Sequence, residues 1–148
     1  MKWLNIILAG WIVSAGPLAQ ADQISPTDIR VIDGDTIRVY RQKPDVRLVG
    51  FNAPETRRAQ CEAERELGAA ATRRLRELSR HNQLDFALIE CSCRQGTAGT
   101  MACNWGRRCG TLKVDGRDVG DILIAEHLAV PFVCGKTSCP KTPRPWCD

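Results

Sequence analysis

The sequence predicts an α+β fold: a barrel of five short strands with two to three helices, plus a disulfide-rich loop and tail. Three observations carry this prediction. Apolar and polar residues alternate in three early segments joined by turn residues, which indicates a β-meander. Apolar residues then recur at helical spacing over about twenty residues. Seven of the eight cysteines lie beyond residue 90, in segments with little periodicity.

The first 21 residues resemble a secretory signal peptide. Lys2 precedes an apolar run that ends in the small-residue pattern Ala19-Gln20-Ala21, so cleavage is expected before Asp22. The alternative is a membrane anchor, but polar residues and a proline interrupt the run, and it is shorter than the ~20 apolar residues of a spanning helix. We therefore expect one secreted or periplasmic domain, residues 22–148, with no membrane segment in the mature form.

The early strands are predicted from alternation and turn chemistry. The first is expected at residues 28–32 and the second at 36–41, joined by a tight turn at Asp33-Gly34. A reversal at Lys43-Pro44-Asp45 then leads into a third strand at 46–51.

The later elements alternate between helix and strand. Leu67, Ala71, Leu75 and Leu78 line one face of a helix at 61–80, although Gly68 weakens its first turns. A fourth strand at 83–90, a loop at 91–106, a fifth strand at 111–114, a short helix at 119–126 and an irregular tail follow. Five strands with helices after the third and the fifth match the oligonucleotide/oligosaccharide-binding (OB) fold.

An even number of cysteines behind a signal peptide predicts disulfides. Cys134 and Cys139 would close a short loop, and Cys61 could pair with Cys147 to hold the tail at the start of the helix. The two cysteines at 91 and 93 could reach those at 103 and 109, in a pairing that spacing leaves open. The alternative for these last four is a structural zinc site, which the absence of paired C-x-x-C motifs disfavours.

The net charge allows a polyanionic partner without demanding one. It is +4 for the whole chain and +3 for residues 22–148, because the leader contains one lysine and no acid. Arginines cluster at 57–58, 73–76 and 107–108, and they could simply form solvated faces together with neighbouring glutamates.

Two motifs carry the functional information. Asp33-Gly34-Asp35-Thr36 is followed by Arg47-Leu-Val-Gly-Phe-Asn-Ala-Pro-Glu-Thr56, and together they resemble the staphylococcal nuclease (thermonuclease) family. The resemblance extends over residues 29–132, with the cysteine-rich loop and the tail as additions. It implies the OB-fold barrel and metal-assisted cleavage of DNA or RNA.

The resemblance also implies a calcium site. Asp35 matches a calcium-binding aspartate of the family, and hard oxygen donors suit Ca²⁺. Where well-known members have a second aspartate, this chain has Asn52, which keeps an oxygen but removes a negative charge. Ala53 would contribute its backbone carbonyl. We therefore expect Ca²⁺ to bind, more weakly than in those relatives.

The expected catalytic residues are Arg47, Glu55 and Arg107. Arg47 lies in an apolar strand, where its charge needs an anionic partner: Asp35 or Glu55 internally, or a phosphate of the substrate. Pro54 restrains the backbone before Glu55, which the resemblance assigns as general base or as the group that orients the attacking water. A further family motif, Trp105-Gly106-Arg107, lies eight residues before Asp115-Gly116, and the resemblance implies that Arg107 stabilises charge that develops on the phosphate.

Two aromatic residues could contact the bases. Trp105 stands where the family commonly has a tyrosine, and Phe132 is a second candidate stacking surface, although it could equally be a core residue.

The sequence therefore favours a monomeric endonuclease. A non-catalytic nucleic-acid-binding module and a disulfide-rich scaffold for a protein partner are the alternatives.

Overall fold

The computed structural model describes residues 21–81 and 83–147. The predicted leader falls almost wholly outside them and stays a prediction. The α+β class is confirmed: the described residues form nine strands and two α-helices. In chain order these are β1 (Asp22–Gln23), β2 (Ile29–Asp33), β3 (Thr36–Val39), β4 (Gln42–Leu48), β5 (Gly50–Asn52), α1 (Glu62–Leu78), β6 (Leu84–Ile89), β7 (Arg108–Val114), β8 (Arg117–Asp118), α2 (Val119–Ala125) and β9 (Val130–Phe132).

Most of the strands belong to one mixed sheet. Its order is β1-β6-β7-β4-β3-β2, with β8 paired to β7, and β4 runs parallel to β7 while the other pairs are antiparallel. The short β1 occupies the outer edge of β6. Among the described strands no pairing joins the two ends of this order, so the sheet is open and the closed barrel is not observed.

The predicted reversal at Lys43-Pro44-Asp45 is wrong. The chain turns at Tyr40 and Arg41, whose φ angles are 53° and 59°, and residues 43–45 lie inside β4. Val39 pairs with Gln42, which defines a two-residue hairpin, and such turns favour positive φ at both central residues. Pro44 is tolerated because β4 pairs with β7 only from Val46 onwards.

The third predicted strand is divided. β4 ends at Leu48, Gly50 adopts a φ of +93°, and β5 leaves the main sheet to pair with β9. The irregular tail predicted from the sequence therefore contains one strand. The pairing places Phe132 opposite Gly50.

The hydrophobic core lies between the sheet and the helices. The predicted face of α1 is confirmed at Ala71, Leu75 and Leu78, which are buried with residues of both sheets. Gly34, in the first turn, packs closely against this helix: a Cβ there would lie 2.7 Å from the Cβ of Ala53 and 3.0 Å from that of Ala71. The turn that carries the first motif is thereby fixed to α1.

All eight cysteines form disulfides. The predicted pairs Cys61–Cys147 and Cys134–Cys139 are confirmed, and the open pairing resolves as Cys91–Cys109 and Cys93–Cys103. The zinc alternative is excluded in this structure, because the four thiols it requires are bonded to one another. Within residues 21–81 and 83–147, we find no helix with the length and hydropathy needed to cross a membrane.

Candidate functional site

The site is organised around a buried ion pair between Arg47 and Asp35. Backbone pairing brings the two residues close: Thr36 of β3 is the cross-strand partner of Arg47 in β4, and the backbone N–H of Leu48 donates to the Asp35 carbonyl oxygen at 2.8 Å. Arg47 Nη1 contacts Asp35 Oδ2, and both side chains are about one-tenth exposed. The internal partner that the sequence predicts for a buried arginine is confirmed.

The guanidinium of Arg47 makes two further contacts. Its Nη2 donates to the carbonyl oxygen of Phe51 at 3.1 Å and to Asn52 Oδ1 at 2.9 Å. Burial, together with the nearby positive charge of Arg107, lowers the pKa of Arg47 to about 10, while the negative charge of Glu55 opposes the shift. Arg47 is therefore a cation at neutral pH, held in one orientation.

Asp35 is fully engaged within the protein. Thr36 donates its hydroxyl to Oδ1 at 2.9 Å, and the backbone N–H of Ala53 donates to Oδ2 at 3.2 Å. Ala53 thus contacts Asp35 through its nitrogen.

Asn52 links Arg47 to the C-terminal tail. It is buried, its Oδ1 accepts from Arg47, and its Nδ2 donates to the carbonyl oxygen of Pro143 at 2.9 Å. An aspartate could not make the second bond, because it has no donor when ionised.

The calcium expectation can be compared with this donor set. Ca²⁺ takes six to eight oxygen ligands and favours carboxylates. Asp35 supplies one carboxylate whose charge is balanced by Arg47, and Asn52 directs its oxygen at the same guanidinium. Among the described residues, no cluster of three or more His, Cys, Asp or Glu side chains has metal-binding geometry. As arranged, both side chains are paired with Arg47, so Ca²⁺ would have to replace the guanidinium as their partner, and a calcium requirement stays a prediction.

Arg107 is held by the loop before β7 and by the first motif. Its Nη2 donates to Asn104 Oδ1 at 2.9 Å, its Nε to the Asn104 carbonyl at 3.1 Å, and its Nη1 to Thr36 Oγ1 at 3.2 Å. Burial lowers its pKa, and the negative charge of Glu55 opposes the shift. Thr36 therefore connects the two arginines, because its hydroxyl accepts from Arg107 and donates to Asp35, which is paired with Arg47. Asn104 was not predicted; a polar residue in a loop gives no sequence signal for this role.

Trp105 projects from the same loop. Asn104, Trp105 and Gly106 all have positive φ, and the indole is 64% exposed. The guanidinium of Arg58 lies 5.7 Å from the ring centroid, within cation–π distance. Such a platform can accept a planar base. Phe132, in β9, is partly buried.

Glu55 follows β5 and lies above the start of α1. Its backbone N–H donates to Glu64 Oε1 at 3.3 Å, and its carboxylate is 3.9 Å from Arg58 Nε. Sequence reasoning missed Glu64 as a contributor. Its position three residues after Cys61, the N-cap of α1, resembles a capping box, which predicts an exposed acid rather than the fully buried one observed.

A cavity of about 790 Å³ brings the predicted surface residues together. Its lining includes Arg47, Asn52, Glu55, Trp105, Arg107 and Phe132. Asp35 and Ala53 belong to the layer beneath, where Asp35 supports Arg47. The cysteine-rich loop and the tail also line the cavity, through residues such as Ser92, Cys139 and Arg144.

No protein-family model matches the chain, and a search of curated proteins gives no significant match. The resemblance to the nuclease family therefore continues to rest on the sequence motifs.

Proposed function

We propose that the chain is an exported phosphodiesterase that cuts DNA or RNA endonucleolytically. The observation that carries the proposal is the cavity, where Glu55 lines the same space as two partly buried arginines, Arg47 and Arg107. A phosphodiester needs such a combination: cations that hold and polarise its oxygens, and a base beside the attacking water.

The proposed reaction is direct hydrolysis. Glu55 removes a proton from water, the water oxygen bonds to phosphorus, and the bond from phosphorus to the 5′ oxygen breaks. The leaving oxygen takes a proton from solvent, which gives a 3′-phosphate and a 5′-hydroxyl. Arg47 and Arg107 stabilise the charge on the phosphate oxygens, and Trp105 and Phe132 offer surfaces on which flanking bases stack.

Three finer statements belong to the same proposal. The five longer strands are a variant of the OB fold, which is itself partly open. The protein is secreted or periplasmic, which four disulfides support. It acts as a monomer, and its activity depends on Ca²⁺. Because Asp35 and Asn52 are both paired with Arg47, the calcium dependence is the first of these statements to test.

One observation favours a second candidate, a non-catalytic binding module. Asp35 and Asn52 are both committed to Arg47, which leaves a cationic cavity with an exposed aromatic residue. Single strands would bind there through phosphates and stacked bases without being cut.

One assay separates the two. Purified protein is incubated with labelled single-stranded DNA or RNA, with Ca²⁺ or with a chelator, and the products are resolved by length. We expect calcium-dependent shortening, and Glu55→Gln should reduce its rate by about 10²–10⁴-fold because it removes the base while leaving binding in place. Glu66→Gln, an exposed acid on α1, is the control and should cut like wild type. If wild-type protein slows the labelled strands on a native gel without shortening them, the protein is the binding module instead.

A further inference from the structure

The C-terminal tail is fastened to the site at several points. The Cys61–Cys147 bond joins its end to the residue that caps α1. Four residues earlier, the Pro143 carbonyl accepts from Asn52 Nδ2 at 2.9 Å. Between these points, Arg144 binds Glu64 through two nitrogens, Nε at 3.0 Å and Nη2 at 2.8 Å. The tail is therefore part of the site's structure.

Glu64 receives an unusual number of bonds for a buried acid. Its side chain is 0% exposed, and besides Arg144 it accepts from the backbone N–H groups of Gln60 at 2.7 Å and Glu55 at 3.3 Å. Burial by itself would raise the pKa of Glu64, but the bonds from Arg144 and the two N–H groups outweigh it, and the pKa lies below its usual value. The ionised carboxylate is thus fully satisfied.

These bonds connect the tail to the two sides of the cavity. Through Glu64, Arg144 is linked to the backbone of Glu55, the proposed base. Arg144 Nη2 also donates to the Arg58 carbonyl at 2.8 Å, which fixes the same loop a second time. Through Asn52, Pro143 is linked to the guanidinium of Arg47. A displacement of the tail would therefore move Glu55 and the guanidinium of Arg47 relative to a bound substrate phosphate.

We propose that Arg144 is a positioning residue of the active site, which acts with Glu64 and the Pro143 carbonyl to set the geometry of Glu55 and Arg47. This inference rests on the proposed hydrolytic function for its kinetic consequence. Its structural part, that Arg144 holds the loop at residues 55–60, stands independently of catalysis. A displacement of the order of 1 Å at a base can cost about 10²-fold in rate.

The test compares two arginines that each bind a glutamate through two nitrogens. Arg144→Gln is expected to lower kcat on single-stranded DNA at least about tenfold, with KM changed less than about threefold. Arg74→Gln, which breaks the bidentate contact of Arg74 with Glu126 between the helices, should leave both unchanged. Arg144→Lys keeps the charge without the fork, is less disruptive to folding, and should show an intermediate loss.

Amide hydrogen exchange provides a second readout that needs no activity. In Arg144→Lys, the N–H groups of Glu55 and Gln60 should exchange about tenfold faster than in wild type, while those of α2 keep their protection. If Arg144→Lys has wild-type kcat and unchanged exchange at both positions, the inference is wrong, even where Glu55→Gln proves the nuclease. If wild type cuts nothing but the exchange effect is present, the proposed function fails, and only the structural part of the inference, that Arg144 holds the loop at residues 55–60, stands.

Discussion

At the scale of single residues, Arg47 shows how burial and hydrogen bonds hold a cation in one orientation at the cavity. Its pKa of about 10 leaves it charged at neutral pH, and it loses its proton earlier than an exposed arginine. The unfolded chain then binds more protons than the folded one between about pH 10 and the usual arginine pKa. Between these pH values, the contribution of Arg47 to the free energy of unfolding becomes more favourable as pH rises. Arg47 is then losing its charge and no longer attracts an anion.

The corresponding prediction concerns nucleic-acid binding. In the Glu55→Gln background, the affinity for a labelled oligonucleotide should be steady near pH 7 and fall steeply below about pH 10, because the substitution also removes the Glu55 charge that raises the pKa of Arg47. Fluorescence anisotropy across this range measures it. Arg47→Met should bind weakly at every pH and show no such step. A step of equal size in Arg47→Met would assign it to another group.

Asn52 is the residue where the motif departs from the pattern of the nuclease family that it resembles, and its contacts supply a reason. Asn52→Asp would add a carboxylate beside Arg47 but would place it against the Pro143 carbonyl, where a donor is required. We expect a loss of about 1–3 kcal/mol in the free energy of unfolding, measured in urea, from this unsatisfied contact. The added charge should at the same time lower the calcium concentration for half-maximal cleavage. Unchanged stability would show that the tail contact contributes nothing.

Prediction from sequence succeeded for those site residues that carry a local signal. Arg47 in an apolar strand demanded an anionic partner, and Asp35 is that partner. Arg144 and Glu64 carried no such signal, because their pairing depends on the path of a Pro-rich tail that spacing does not define. Thr36 belonged to the motif, but its bond to Arg107 depends on how the loop before β7 folds.

At the scale of elements, periodicity predicted α1, α2 and the first two strands of the meander closely. It failed where a local conformation decided the outcome. The positive φ of Gly50 ends β4 and sends β5 to pair with β9, a strand of three residues that is too short for its alternation to be recognised. The hairpin at Tyr40 and Arg41 lacks the Asn-Gly or Asp-Gly pair that usually marks such turns.

Gly68 illustrates an element constrained by the site. It lies within α1, and a Cβ there would be 2.7 Å from the Pro54 carbonyl oxygen and 2.9 Å from that of Glu55. Gly68→Ala should gain up to about 1 kcal/mol of helix propensity, yet the clash with backbone should exceed this gain and displace the Glu55 loop. We expect lower stability and lower kcat together. Glu66→Ala, on the exposed face, should stay within about 0.5 kcal/mol of wild type. Increased stability in Gly68→Ala would mean that the loop yields without cost.

At the scale of the whole molecule, the disulfides differ in the length of chain between the two cysteines that they join. Cys134–Cys139 spans five residues of sequence, whereas Cys61–Cys147 spans 86 and joins the tail to α1. In the chain-entropy account, a bond restricts the unfolded ensemble more as the loop it closes becomes longer. The long-range bond should therefore dominate stability while it also secures the tail at the site.

This difference gives a direct test with paired serine variants. The Cys61→Ser, Cys147→Ser double variant should lose about 4–5 kcal/mol in the free energy of unfolding, and the Cys134→Ser, Cys139→Ser variant about 2 kcal/mol. Serine retains an acceptor for the N–H of Glu64 that Cys61 caps, so the loss reports the bond rather than the helix cap. Urea denaturation under non-reducing conditions measures both values. Equal losses would indicate that native contacts of the tail, rather than loop closure, determine the contribution of each bond.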